Sequence, residues 1–198
     1  MRPFRATPAA PVDPVGNPAQ PETPAAAIDA ALGELAAARG AWARVGRRER
    51  ARILREVASN LRASAPEYAR LHERQKGSYG EGLGGAYGEA GVMVLHCETT
   101  ARALEAGFAD AVQGVRATPT GHTAVSVFPY LPFDSLIFGA GEVELWIRPG
   151  EAPSRGALYR RKAAEGPGDG AVCLVLGAGN HAVIIVLDVL HALMAEDR

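Results

Sequence analysis

One uninterrupted stretch near the C-terminus constrains this chain more than any other feature: A-V-C-L-V-L-G-A-G-N-H-A-V-I-I-V-L-D-V-L-H-A-L-M-A, residues 171–195. It is long enough in principle to cross a bilayer. It also carries Gly177, Gly179, Asn180, His181, Asp188 and His191, and an uncompensated aspartate near the centre of a span is costly in lipid. A buried strand followed by a buried helix accounts for the stretch better, so no membrane partner is expected. Residues 171–176 are continuously apolar, as in a central parallel strand covered on both faces. Gly177 and Gly179 permit a tight turn. Residues 181–195 then continue as a helix burying Val183, Val186, Leu187, Leu190, Leu193 and Met194. The expected unit is the opening half of a strand–turn–helix element in an α/β nucleotide-binding fold.

What precedes it is mainly helical. Residues 1–23 are rich in Pro and Ala without periodicity and read as a disordered leader. They contain no continuous apolar region of the kind a secretory signal needs, which points to a cytoplasmic protein. Thr23-Pro24 offers an N-cap followed by proline at the first helical position. Ile28, Leu32, Leu35, Arg39 and Trp42 then follow helical spacing, predicting a helix over 24–44. A second helix is predicted over about 47–63, with Ile53, Leu54, Val57, Ala58 and Leu61 as its buried stripe and Arg48, Glu49, Arg52, Arg55 and Glu56 in solvent. Pro66 opens a third, short helix with Tyr68 and Leu71 inward. Seven glycines within 77–91 predict a flexible loop, because each costs a helix about 1 kcal/mol relative to alanine. The pattern turns helical again over 89–107, with Val92, Leu95, Thr99, Ala103 and Leu104 near one face.

Beyond residue 107 the period shortens towards two. Residues 123–130 and 142–148 read as strands, and 157–162 as a third short one. Pro129, Pro132, Pro149 and Pro153 confine such strands to edges or short lengths. The loop sequence E-G-P-G-D-G (165–170) marks a boundary. The chain thus divides into the leader at 1–23, a helical region with short strands at 24–165, and the start of a cofactor domain at 166–198.

Composition narrows the function classes. A formal net charge of −1 gives no electrostatic case for nucleic acid. Two cysteines, Cys97 and Cys173, make no disulfide framework and read as buried free thiols. The five histidines show no metal-ligand spacing, so no metal is expected. Glu34, Glu89 and Glu105 read as surface groups rather than an acid–base pair. His181 and His191, ten residues apart, fall on the same side of the last helix.

Two blocks together resemble the aldehyde dehydrogenase superfamily. W-A-R-V-G-R-R-E-R-A-R-I-L-R-E-V-A-S-N-L (42–61) is similar to that family's tryptophan-bearing helix pair with its R-A-x-x-L-x-x-x-A-x-x-L pattern. Lys76-Gly77 and Gly88-Glu89 fall at further family positions. V-L-G-A-G-N (175–180) stands where the family has a G-P-W-N-type turn, with Ala178-Gly179 replacing Pro-Trp. The order of elements matches over about residues 25–198.

The resemblance implies an incomplete aldehyde dehydrogenase fold: N-terminal helices and short antiparallel strands leading into the first strand–helix unit of a Rossmann-like parallel sheet. It implies an aldehyde substrate oxidised to a carboxylic acid with NAD or NADP through a cysteine thioester. Asn180 would donate its side-chain amide to the oxyanion, and Leu176, Gly177, Ala178 and Gly179 would lie along the cofactor. A homo-oligomer would form through the 157–162 strand. The family's nucleophilic cysteine and general-base glutamate fall beyond the region matched, so this chain is expected to be an inactive N-terminal fragment, or else a non-catalytic module needing a partner. A rival pattern uses the same residues: G-A-G-N-H-A (177–182) fits the dinucleotide fingerprint G-x-G-x-x-G/A, in which glycines let a pyrophosphate approach a helix N-terminus.

Overall fold

The computed structural model describes residues 23–76, 83–108, 114–129, 141–177 and 181–198. Nearly all of the leader at 1–23 lies outside the described residues, as do 77–82 of the glycine-rich segment. The described chain is mixed α and β, dominated by two long helices, α2 (Arg47–Lys76) and α3 (Leu83–Ala106), with α1 (Ala25–Arg44) ahead of them.

The partners of α2 and α3 fix their relative direction. Arg55 pairs with Glu105 and Glu98, Arg62 with Glu98, and Tyr68 and His72 with Glu89. Advancing along one helix means receding along the other, so they run antiparallel. On α3 the buried positions are Ala86, Ala90, Met93, Cys97, Ala101, Ala103 and Leu104, all but Ala103 on a stripe at spacings of three and four. This overturns the loop expected over 77–91 as far as residues 83–91 are concerned. Propensity argues against helix at Gly84, Gly85, Gly88 and Gly91, but packing of the alanine stripe on α2 outweighs it. The stripe also differs from the one expected: Val92 and Leu95 are exposed.

Pro66 does not open a new helix either; α2 runs through it. An interior proline costs about 3 kcal/mol. Buried residues on both sides, Leu54 and Ala58 before it and Ala69 and His72 after it, bind the helix to the core and carry it across. Leu71, expected inward, is exposed.

Three strands form an antiparallel sheet in the order β1 (Val115–Ala117), β2 (Thr123–Phe128), β3 (Val143–Ile147). The two longer ones fall inside the segments read as strands. Gly114 leads into β1 with φ of 61°, and a Cβ there would lie 2.6 Å from the Cβ of Ser126, so glycine is required for the close approach to β2.

Two expected strands are absent. Residues 157–162, read as the oligomerisation strand, belong to helix α4 (Ala157–Glu165). The segment A-L-Y-R-R-K-A-A-E is made mostly of strong helix formers, and Gly156 and Gly166 bracket it in left-handed and extended positive-φ conformations. Two adjacent apolar residues could not establish a period of two against that preference. Residues 171–176, read as a buried parallel strand, pair with no described strand and are largely exposed. A central strand needs a neighbour on each side and helices on both faces. The sheet that forms here is the antiparallel one built from 115–147, and it does not extend to them.

The last helix is found within the expected span, but of the residues expected to be buried only Leu190 and Met194 are, with Val183, Val186, Leu187 and Leu193 half-buried. α5 (Ala182–His191) widens into a π-helical turn over Ala192–Glu196. Leu190 and Met194 join Ala51, Leu54, Ala58, Cys97, Ala101 and Leu104 in one buried cluster, with Trp42, Phe108, Tyr159 and Leu193 packed around it. Among the described residues no helix is long and apolar enough to cross a membrane.

Candidate functional site

The C-terminal helical turn is held by side chains from the first helices. Arg50 is fully buried, and a buried guanidinium must place five N–H groups. Nε donates to the Val45 carbonyl at 3.1 Å and Nη1 to the Leu193 carbonyl at 2.8 Å. Nη2 donates to the Trp42 carbonyl at 3.0 Å and pairs with the Asp197 carboxylate, and a long contact of 3.5 Å reaches the Tyr159 hydroxyl. The same guanidinium lies 4.4 Å from the centre of the Trp42 ring. Trp42 itself donates from its indole N–H to the Leu193 carbonyl at 3.2 Å, and the Tyr159 hydroxyl donates to the Met194 carbonyl at 2.6 Å. Lys162 closes the group by pairing with Asp197 at 2.9 Å.

Sequence patterning alone does not single out Arg50. The signal is present in its phase: it lies four residues before Leu54 on the stripe that continues to Ala58, so a helix of that register must bury it.

A second cluster gathers around Glu89 of α3. Its Oε2 accepts from the Tyr68 hydroxyl at 2.6 Å. Its Oε1 lies 2.7 Å from Nδ1 of His181, 3.3 Å from Nε2 of His72 and 3.7 Å from Nζ of Lys76. Burial opposes ionisation of this carboxyl, whose side chain is only 15% exposed. Hydrogen bonds from Tyr68 and His181, then the charge and hydrogen bond of His72, outweigh burial and hold its pKa down to about 2. Burial and then the bond to Glu89 push the Tyr68 phenol well up. Among the described residues, Nδ1 of His72 is buried without a hydrogen-bond partner. Glu89 was expected on the surface with Glu34 and Glu105; it is instead the meeting point of α2, α3 and the start of α5. Period alone misplaced the buried stripe of α3, and the residue on its margin was misread with it.

The cluster reaches the region expected to carry chemistry. His181 is the residue before α5 and is bonded in sequence to Asn180. Asn180, Ala178 and Gly179 lie outside the described residues. Leu176 is 79% exposed, and Gly177 is exposed as well. A Cβ on Gly177 would come within 2.5 Å of Cδ1 of Ile185, so the absence of a side chain lets this residue lie against α5. His181 and His191 do not act together: His181 meets Glu89, while His191 lies 3.6 Å from Glu196.

The two cysteines differ in their surroundings. Cys97 is fully buried in the helical core, where burial and then the charge of Glu98 push its thiol pKa up. Cys173 was expected buried and is exposed; its thiol reaches only the neighbouring Leu174 carbonyl, at 3.8 Å, among the described residues. Among the described residues no group of histidine, cysteine and carboxylate side chains is arranged to hold a metal. A cleft of about 310 Å³ lies between α4 and the C-terminus, lined by Arg161, Lys162, Glu165, Glu196 and Arg198 among others; it includes neither Leu176 nor Gly177. No protein-family model, curated protein or solved structure matches this chain.

Proposed function

We propose that this chain is the N-terminal scaffold of an aldehyde dehydrogenase-like protein, which presents an oxyanion donor and a cofactor turn for NAD(P)-dependent oxidation of an aldehyde to a carboxylic acid. One observation carries the reading. The first block that resembles that family, 42–61, is joined to the last helical turn, the continuation of the helix that follows the second block at 175–180: Trp42 and Arg50 both donate to the Leu193 carbonyl.

In this reading residues 171–176 become the first strand of a Rossmann-like parallel sheet once neighbouring strands cover them. Leu176 and Gly177 border the cofactor, and the contact of Gly177 with Ile185 fits a turn that must stay free of side chains for a dinucleotide phosphate to approach the start of α5. Bound NAD or NADP supplies the hydride acceptor. Asn180 offers a neutral amide N–H where negative charge develops on the aldehyde oxygen during attack by a thiolate. The proposed thiolate is not Cys97, which is sealed in the core, nor Cys173, which has no base beside it among the described residues.

The purified chain is therefore expected to leave NAD and NADP unreduced in the presence of short and aromatic aldehydes. Reduction that persists in the Cys97→Ala, Cys173→Ala double variant would overturn the assignment of the nucleophile and with it this reading.

A second reading, a non-catalytic module that must bind a partner, is favoured by the exposure of Leu174 at 81% and Leu176 at 79%. Size-exclusion chromatography separates the two: self-association supports the module, and a monomer with one cooperative unfolding transition argues against it.

A further inference from the structure

We infer that the outer edge of β3 is an interface between two copies of this chain, which pair their β3 strands antiparallel about a two-fold axis at Leu145. This interface is independent of the function proposed above.

The phase of the sheet's hydrogen bonds decides which backbone groups the edge offers. The Ser126 N–H donates to the Gly114 carbonyl at 3.4 Å, so the backbone of Ser126 and Ala124 faces β1 and that of Val125 and Thr123 faces β3. Their partners Leu145 and Ile147 bond inward. The N–H and C=O groups of Glu144 and Trp146 therefore point away from β2, and among the described residues no strand lies beyond β3 to receive them. Sheet edges are commonly closed to other chains by proline or lysine, and residues 142–148 contain neither. On this strand Val143 is 52% exposed, Leu145 55% and Trp146 58%.

The sequence E-V-E-L-W-I-R (142–148) selects the occupant, because it complements itself when reversed. With Leu145 on the axis, Glu142 opposes Arg148 of the second copy at both ends, Val143 opposes Ile147, and Glu144 opposes Trp146. Neither Glu142 nor Arg148 forms an ion pair within the chain among the described residues, while Glu144 is already paired with Arg116 at 2.6 Å. The outward groups of Glu144 then meet those of Trp146 as a hydrogen-bonded pair, and Leu145 meets its copy in the non-hydrogen-bonded position between two such pairs. The apolar row Val115, Val125, Leu145 continues into the second sheet. Other registers fit worse. A slip of one residue sets outward-facing backbone against inward-facing, and a slip of two sets Glu144 against its own copy or carries Glu142 past Pro149.

Sedimentation velocity of the purified full chain, from low to high micromolar concentration, tests the interface. Wild type should pass from monomer to dimer. Arg148→Glu places like charges opposite each other at both ends and should weaken the dimer about tenfold. The Glu142→Arg, Arg148→Glu double variant restores opposite charges and should recover the wild-type affinity. Cross-linking in a Cys173→Ala background reads the register. Two copies of residue 145 would lie about 4.5 Å apart at Cα, within disulfide reach, so Leu145→Cys should give a linked dimer on mild oxidation and Val143→Cys should not. A chain that stays monomeric at high micromolar concentration overturns the inference and leaves the edge to an extended peptide of another protein. A dimer indifferent to Arg148→Glu, or one that Leu145→Cys does not link, also overturns it and moves the contact to the uncovered Leu174 and Leu176.

Discussion

Arg50 shows how much of this molecule rests on one side chain. With its guanidinium fully committed and no exposure, its removal leaves the Asp197 carboxylate and the carbonyls of Val45, Trp42 and Leu193 short of donors. Breaking a buried pair from one side costs about 3–5 kcal/mol, so Arg50→Ala should lower the urea midpoint by a corresponding amount. The Arg50→Ala, Asp197→Ala double variant should cost less than the two single variants added together, because each single change already removes the shared Arg50–Asp197 contact, while Lys162 still pairs with Asp197 when Arg50 is lost. Full additivity would mean that the pair is not coupled. Glu89 gives a prediction in pH. Its folded pKa, about 2, lies below the ordinary carboxylate value of 4.5, so its stabilising contribution is present above pH 4.5 and disappears as pH falls towards 2. The gap in Tm between wild type and Glu89→Gln should therefore be widest near neutral pH and close by pH 2. Neither residue stands out in the sequence. A single arginine or glutamate on a charged helix reads as solvated, and only the helix phase, fixed by the partner it packs on, turns it inward.

At the scale of elements, the legible parts are those with long, consistent period. α1, the first half of α2, β2, β3 and α5 form where they were expected, although the apolar residues read as the faces of α1 and β3 (Ile28, Leu32, Leu35, Val143 and Leu145) are exposed. The failures have separate physical causes. The N-terminal half of α3 is helical against its own glycine content because the stripe Ala86, Ala90, Met93 and Cys97 is bound to α2. Gly88 and Gly91 lie inside this helix, and a methyl group added at either would meet nothing within 4 Å among the described residues, so the glycines serve no close approach to them. Gly88→Ala and Gly91→Ala should each stabilise the chain by roughly 0.5–1 kcal/mol, read as a rise in Tm. A loop at this position would respond with no change or with a loss. The opposite failure occurs at 157–162, where two apolar residues suggest a strand and helix-forming neighbours decide otherwise. At 171–176 the composition describes a strand that requires neighbours, and the described sheet, antiparallel and built elsewhere in the chain, supplies none.

For the whole molecule, residues 182–196 are an integral part of the N-terminal helical core, and 171–177 lie outside it. The shared cluster of Leu54, Cys97, Leu104, Leu190 and Met194 binds the two ends of the described chain together, with Arg50 at one margin and Glu89 at another. The order of the sequence blocks conveys that they belong together, but not the means, since the residues that join them are spaced by about one hundred positions or more. Hydrogen–deuterium exchange of the purified chain tests this arrangement most directly. Peptides from 182–196 should exchange through the same slow opening as those from 50–61 and 93–104, while 172–177, beyond the Ala171 amide that donates to the Asp197 carbonyl, exchanges without protection. Fast exchange across 182–196, or protection of 172–177 equal to that of the core, would contradict it.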